Sequence, residues 1–113
     1  PNLALLVPLA KNIVWLNLNQ LNLSNKVGSS IALMSNLEKL RLEKNNISDG
    51  IASDLIRLQH LNSLNLNETQ VSNVTVTELK KLKSLQHLYV WKTKVLATQP
   101  KDTNTEKLKI ISK

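Results

Sequence analysis

Two histidines, His60 and His87, are the imidazoles available for acid–base chemistry or metal binding in this chain of 113 residues. A catalytic base needs an orienting partner within reach, and a metal needs three or four ligands. No carboxylate stands at ligand spacing from either histidine, and there is no cysteine to supply a thiolate. The chain holds no G-x-S-x-G elbow and no phosphate loop, and its glycines number two. No catalytic residue, metal site or cofactor is therefore expected within it. What remains is a row of rings. His87, Tyr89 and Trp91 alternate with Leu88 and Val90, the period of a strand with two unlike faces. Rings opposite an aliphatic face suit recognition of a partner.

The elements that hold those rings must come from an unusual composition. Apolar residues make up 42% of the chain and aromatics 3%, with 23 leucines, 14 asparagines and no phenylalanine. That mixture points to a regular aliphatic stack. The longest apolar run, residues 3–10, falls far short of the ~20 residues that cross a bilayer. It also lacks the basic start and cleavage site of a signal peptide. The absence of cysteine excludes disulfides and a covalently attached c-type haem within the chain, and leaves the redox compartment open. The formal charge of +7 is uneven: residues 80–113 hold nine lysines against Asp102 and Glu106, while residues 1–79 balance at six and six. That end is a solubilising surface or, on the sharper reading, a patch for an anionic partner. Pro1 in place of an initiator methionine leads us to expect a segment of a longer protein.

Written in rows of 24 from Ile13, the residues fall into columns. Ile13, Leu37, Leu61 and Leu85 share the first, and Leu16, Leu40, Leu64 and Leu88 the fourth. Leu18, Leu42, Leu66 and Val90 fill the sixth, and Leu23, Ile47, Val71 and Val95 the eleventh. Ile31, Leu55 and Leu79 recur in the nineteenth, and Met34, Leu58 and Leu82 in the twenty-second. Columns four and six alternate as in a short strand; columns nineteen and twenty-two lie one helical turn apart. No single row can bury these residues, so stacking must make the core continuous.

The pattern L-x-x-L-x-L-x-x-N-x-I resembles the leucine-rich repeat across residues 13–95. The resemblance implies an α/β repeat solenoid of about four 24-residue repeats, wound right-handedly. A parallel sheet would line its concave side and short helices or turns its convex side. Residues 1–12 read as the helical half of a partial repeat, residues 13–36, 37–60, 61–84 and 85–107 as the repeats, and residues 108–113 as a terminal strand. Thr75 and Glu78 have capping-box spacing before Leu79, and Ser53 and Asp54 precede Leu55 as candidate caps. Gly50 falls in the loop before that turn, where a positive φ is expected. Column nine reads Leu21, Asn45, Thr69, Thr93. Asparagine there can bond turn backbone and threonine less fully; Leu21 cannot, so the first turn should be satisfied differently or be looser.

In this phase the outward positions place Trp15, His87, Arg41, Tyr89, Trp91 and Glu43 on the concave face, with Lys44, Glu68 and Lys92 following in column eight. Trp15, Arg41, Lys44, His87, Tyr89, Trp91 and Lys92 are the candidate contacts for another protein. Lys44, Glu68 and Lys92 alternate in sign, which suggests cross-strand pairing. Lysine neighbours would keep Glu43 and Glu68 ionised and unsuited to acid catalysis. Lys80, Lys81 and Lys83 should face solvent on the convex side. Scattered lysines without arginine forks argue against base-specific nucleic-acid binding. The N-x-S/T sequons at Asn22, Asn46, Asn67 and Asn73 are read as incidental.

The variants "LNLNETQVS" and "LYVWKTKV" resemble, more narrowly, the repeats of bacterial envelope proteins in which leucine-rich repeats follow a c-type cytochrome domain. "ISDG" at residues 47–50 is the nearest match to that group's V-T-D-A-G, and "VSNV" and "VLAT" depart from it. This resemblance implies a periplasmic or membrane-attached parent with haem c outside this chain. The chain would then be a docking scaffold; otherwise it is a plain interaction module.

Overall fold

A computed structural model describes residues 9–96 and 108–111. The expected helical half at residues 1–12 and the 97–107 part of the fourth repeat lie largely outside them. Five strands form one parallel sheet in chain order: β1 (Trp15–Asn17), β2 (Lys39–Arg41), β3 (Ser63–Asn65), β4 (His87–Tyr89) and β5 (Lys109–Ile111). Trp15 pairs with Lys39, Lys39 with Ser63 and Ser63 with His87, so each step of the sheet is one row of the sequence. The last step is two residues shorter, with His87 opposite Lys109.

Three short helices lie on the other side of the core: α1 (Gly28–Ala32), α2 (Ala52–Leu55) and α3 (Asn73–Leu79). They are too short to be stable alone, and packing holds them. Ile31, Leu55 and Leu79 are fully buried beneath them, and Leu40, Leu64 and Leu88 meet them from the sheet at 1% exposure or less. The structure is the expected leucine-rich repeat architecture, a parallel concave sheet backed by short helices. Leu16, at the β1 edge, is only partly buried.

The helix starts differ from expectation. Ser72 caps α3, its Oγ accepting from Val74 N at 3.2 Å, while Thr75 is buried inside the helix. Ser53 and Asp54 lie within α2, which is led in by a 3-10 turn at Asp49–Ile51 after Ser48. Gly50 has no positive φ. Its need is space, since a Cβ there would come within 2.7 Å of Asn25 Nδ2. That amide is engaged: Asn25 Oδ1 accepts from Ser48 N at 2.9 Å and Nδ2 donates to Ser48 Oγ at 2.8 Å. The same column supplies Asp49, which accepts from Ser72 N at 2.8 Å and from Thr75 Oγ1 at 2.6 Å, and Asn73, which accepts from Leu96 N at 2.6 Å. Each of these links the start of one convex turn to the next repeat.

Positive φ falls instead in column eight, at Gln20, Lys44, Glu68 and Lys92, and at Asn22 in the first turn (53° to 60°). The chain leaves the strand there through a left-handed residue, and the amide of Lys44 still donates to Asn67 O at 3.0 Å. This bend also ends the strand geometry that the charge pairing needed. Among the described residues no ion pair joins Glu68 to Lys44 or Lys92.

Asn45, 4% exposed, closes the first turn from the second repeat. Its Oδ1 accepts from Leu21 N and Leu23 N at 3.0 Å each, and its Nδ2 donates to Leu18 O at 2.9 Å and Leu42 O at 3.0 Å. Leu21 therefore needs no polar side chain. Thr69 and Thr93 donate only within their own repeats, to Leu66 O at 2.7 Å and Val90 O at 2.6 Å.

Two outcomes are expected. Asn45→Ala strands several buried backbone groups and should cost about 2–4 kcal/mol, read from urea midpoints, with faster amide exchange at Leu21 and Leu23. Unchanged exchange there would contradict the cross-repeat bonds. The second concerns Asp49. Partial burial pushes its carboxyl up, but the hydrogen bonds from Ser72 and Thr75 outweigh this and hold it below the usual 3.8. A lowered folded value stabilises the protein above the ordinary carboxylate range, and that contribution is lost as pH falls through the lowered value. Asp49→Asn should therefore lose less stability than wild type between pH ~5 and ~2.5, as measured by urea unfolding at each pH.

Candidate protein-binding face

The outward side chains of the strands form one surface with two separate groups. At the β1–β2 edge, Trp15 is 70% exposed and Lys39, its register partner, places Nζ 4.8 Å from the ring centroid. A trough of about 240 Å³ opens beside them, lined by Trp15, Leu16, Asn17, Lys39, Leu40, Arg41 and Ser63. At the other end, His87 and Tyr89 lie on β4 and Trp91 follows it. Lys92 lays its Nζ 4.6 Å from the Trp91 centroid. The structure thus joins Trp15 with Arg41 and joins His87, Tyr89, Trp91 and Lys92, but three strand spacings, about 14 Å, separate Trp15 from β4. Lys44 is exposed in its left-handed turn.

The aromatic group on β4 is less open than alternation alone suggests. His87 and Tyr89 are half-buried because β5 pairs alongside, setting Lys109 and Ile111 opposite them. Trp91 stays 40% exposed, its backbone N donating to Asn67 Oδ1 at 2.7 Å.

Glu43 is a correction to the expected open face, for it is 6% exposed. Arg41 Nε donates to Glu43 Oε2 at 2.9 Å and Nη2 bonds the same oxygen. Asn65 Nδ2 approaches it at 3.5 Å. The hydrogen bond to Glu43, with the attraction between the two charges, holds the Arg41 guanidinium above its ordinary range. Glu43 Oε1 is buried and, among the described residues, has no hydrogen-bond partner. Sequence reasoning treated column seven as uniformly wet; the signal it passed over is Arg41, two residues away on the same face. The Asn25, Asp49 and Asn73 column was also passed over, although its spacing of 24 was visible.

Among the described residues no group of three His, Cys, Asp or Glu could hold a metal, and no helix is long and apolar enough to cross a membrane. His60 and His87 fall in different parts of the repeat, at the corner after α2 and on β4.

No family model and no curated protein matches the sequence. Its structure is similar to solved leucine-rich repeat structures. One is the tropomodulin C-terminal domain of Caenorhabditis elegans, at TM-score 0.72 and 14% identity over 99% of this chain and 82% of that one. Another is internalin C2 of Listeria monocytogenes, at TM-score 0.71 and 16% identity over 99% of this chain and 56% of that one. Internalin F of the same organism matches 74% of this chain and 30% of its own at TM-score 0.51 and 23% identity. The chain thus spans about half the length of internalin C2 and a third of internalin F. These likenesses, with the register of one row per strand, define a leucine-rich repeat solenoid. They do not bear on the cytochrome association that the narrower resemblance implies.

Removing Arg41 would leave the buried Glu43 carboxylate unanswered. Arg41→Ala should cost about 1–2 kcal/mol in urea unfolding, discounted because the Arg41 side chain is half exposed, and Glu43→Gln added to it should restore part of the loss. No restoration would mean that Arg41 stabilises by packing alone.

Proposed function

We propose that this chain is a non-catalytic module that holds a protein partner on its concave face. The observation that carries the reading is where the aromatic surface goes. Among the described residues the core closes on aliphatic side chains and Met34, with no aromatic ring, while Trp15 and Trp91 stand 70% and 40% exposed on the sheet side. Large rings left in water are unfavourable, and tryptophan is enriched among the residues that dominate protein interfaces. Arg41 and Tyr89 on the same side belong to that class as well.

The test is capture of a partner by the immobilised chain from its source organism. Trp15→Ala with Trp91→Ala should reduce capture by about a thousandfold, the loss of two hot-spot residues, at unchanged fold. Lys81→Ala with Lys83→Ala, exposed beyond α3, should leave it intact. The reverse pattern would move the binding surface to the convex side.

A further inference from the structure

The two tryptophans mark opposite corners of the concave sheet, and each carries a lysine on its ring. An ammonium laid on an indole is oriented by the ring yet keeps donors free for an anion. The charge around these pairs leaves them available. Arg41 and Glu43 offset each other, and half-buried Glu68 stands against Lys39, Lys44 and Lys92, so the face is cationic among the described residues. Trp15 and Trp91 lie three strands and four sequence columns apart. At ~4.8 Å per strand and ~3.3 Å per residue, the diagonal between them is roughly 20 Å. An extended polypeptide covers that length in about six residues, an even number that returns both side chains to one face.

We propose that the concave face takes an acidic, extended polypeptide segment whose carboxylates, six residues apart, are received by the Trp15–Lys39 and Trp91–Lys92 pairs. The proposal rests on the concave-face reading and names the chemistry of its partner. A nucleic-acid strand fits less well. Between the pairs lie Ser63, Asn65 and Tyr89, which are uncharged, and Arg41, whose charge is engaged by Glu43, where a run of phosphates would need free cations.

Fluorescence anisotropy with three labelled seven-residue peptides tests it. One carries glutamate at both ends, one glutamine at both ends, and one two adjacent central glutamates; oligothymidylate is the fourth probe. The end-glutamate peptide should bind about tenfold more tightly than the others at low salt, since charge-assisted bonds are at stake. Lys39→Gln and Lys92→Gln should each weaken it about fivefold, and Lys83→Gln, on the convex side, should not. Equal binding of all peptides, tighter binding of oligothymidylate, or no peptide binding overturns the proposal. If peptides fail while capture of the native partner still depends on Trp15 and Trp91, the acidic segment is wrong and the concave-face reading stands. If that dependence is missing too, both fall.

Discussion

Neighbouring repeats of this chain answer each other's backbone groups, and the rest of the architecture depends on that constraint. The amides of Leu21 and Leu23 are answered by Asn45, one repeat on. Those of Ser48, Ser72 and Leu96 are answered by Asn25, Asp49 and Asn73, one repeat back. An unpaired buried amide costs on the order of 1–3 kcal/mol, so an isolated row would lose on hydrogen bonds as well as on its open core. Stacking repairs both defects at once. The strands can then be as short as three residues because their register is fixed from outside them.

Most of the fold was legible in the sequence, for a physical reason. A position that is buried in row after row, such as that of Leu40, Leu64 and Leu88, repeats its chemistry and so leaves a column. Loop chemistry was less legible. Thr75 and Glu78 had the spacing of a capping pair, but the helix starts earlier and Thr75 turns inward to Asp49, a partner 26 residues away that local spacing does not reveal. Glu43 shows the same limit on the sheet side. Column position made it wet, while Arg41 and Asn65 fold over it and make it dry. The exposed tryptophans were legible because neither recurs in its column: Trp15 gives way to Lys39 and Ser63, and Trp91 follows Asn67.

That contrast separates two kinds of column. Repetition marks positions that serve the stack, and singular residues mark positions free of that duty. Trp15, Tyr89 and Trp91 are each the one aromatic residue in their column, on a sheet whose inward side is uniformly aliphatic. Lys39, beside Trp15, is singular too, with Trp15, Ser63 and His87 in the rest of its column. Half-burial of His87 and Tyr89 under the β5 neighbour shows how a closing strand narrows such a face without altering the core behind it.

The reach of Asn45 has a consequence for how such a chain can grow. Three of its bonds span 22 to 27 residues into the preceding repeat, whereas Thr69 and Thr93 bond within their own repeats. An in-frame genetic duplication of the second repeat would deliver an asparagine that finds a ready neighbour on its N-terminal side. A duplicated third or fourth repeat would bring a threonine and leave that junction to the sheet and the convex column. Lengthening by gene duplication should therefore be tolerated best where the asparagine is encoded, and the threonine rows are better suited to the end of the array than to its middle.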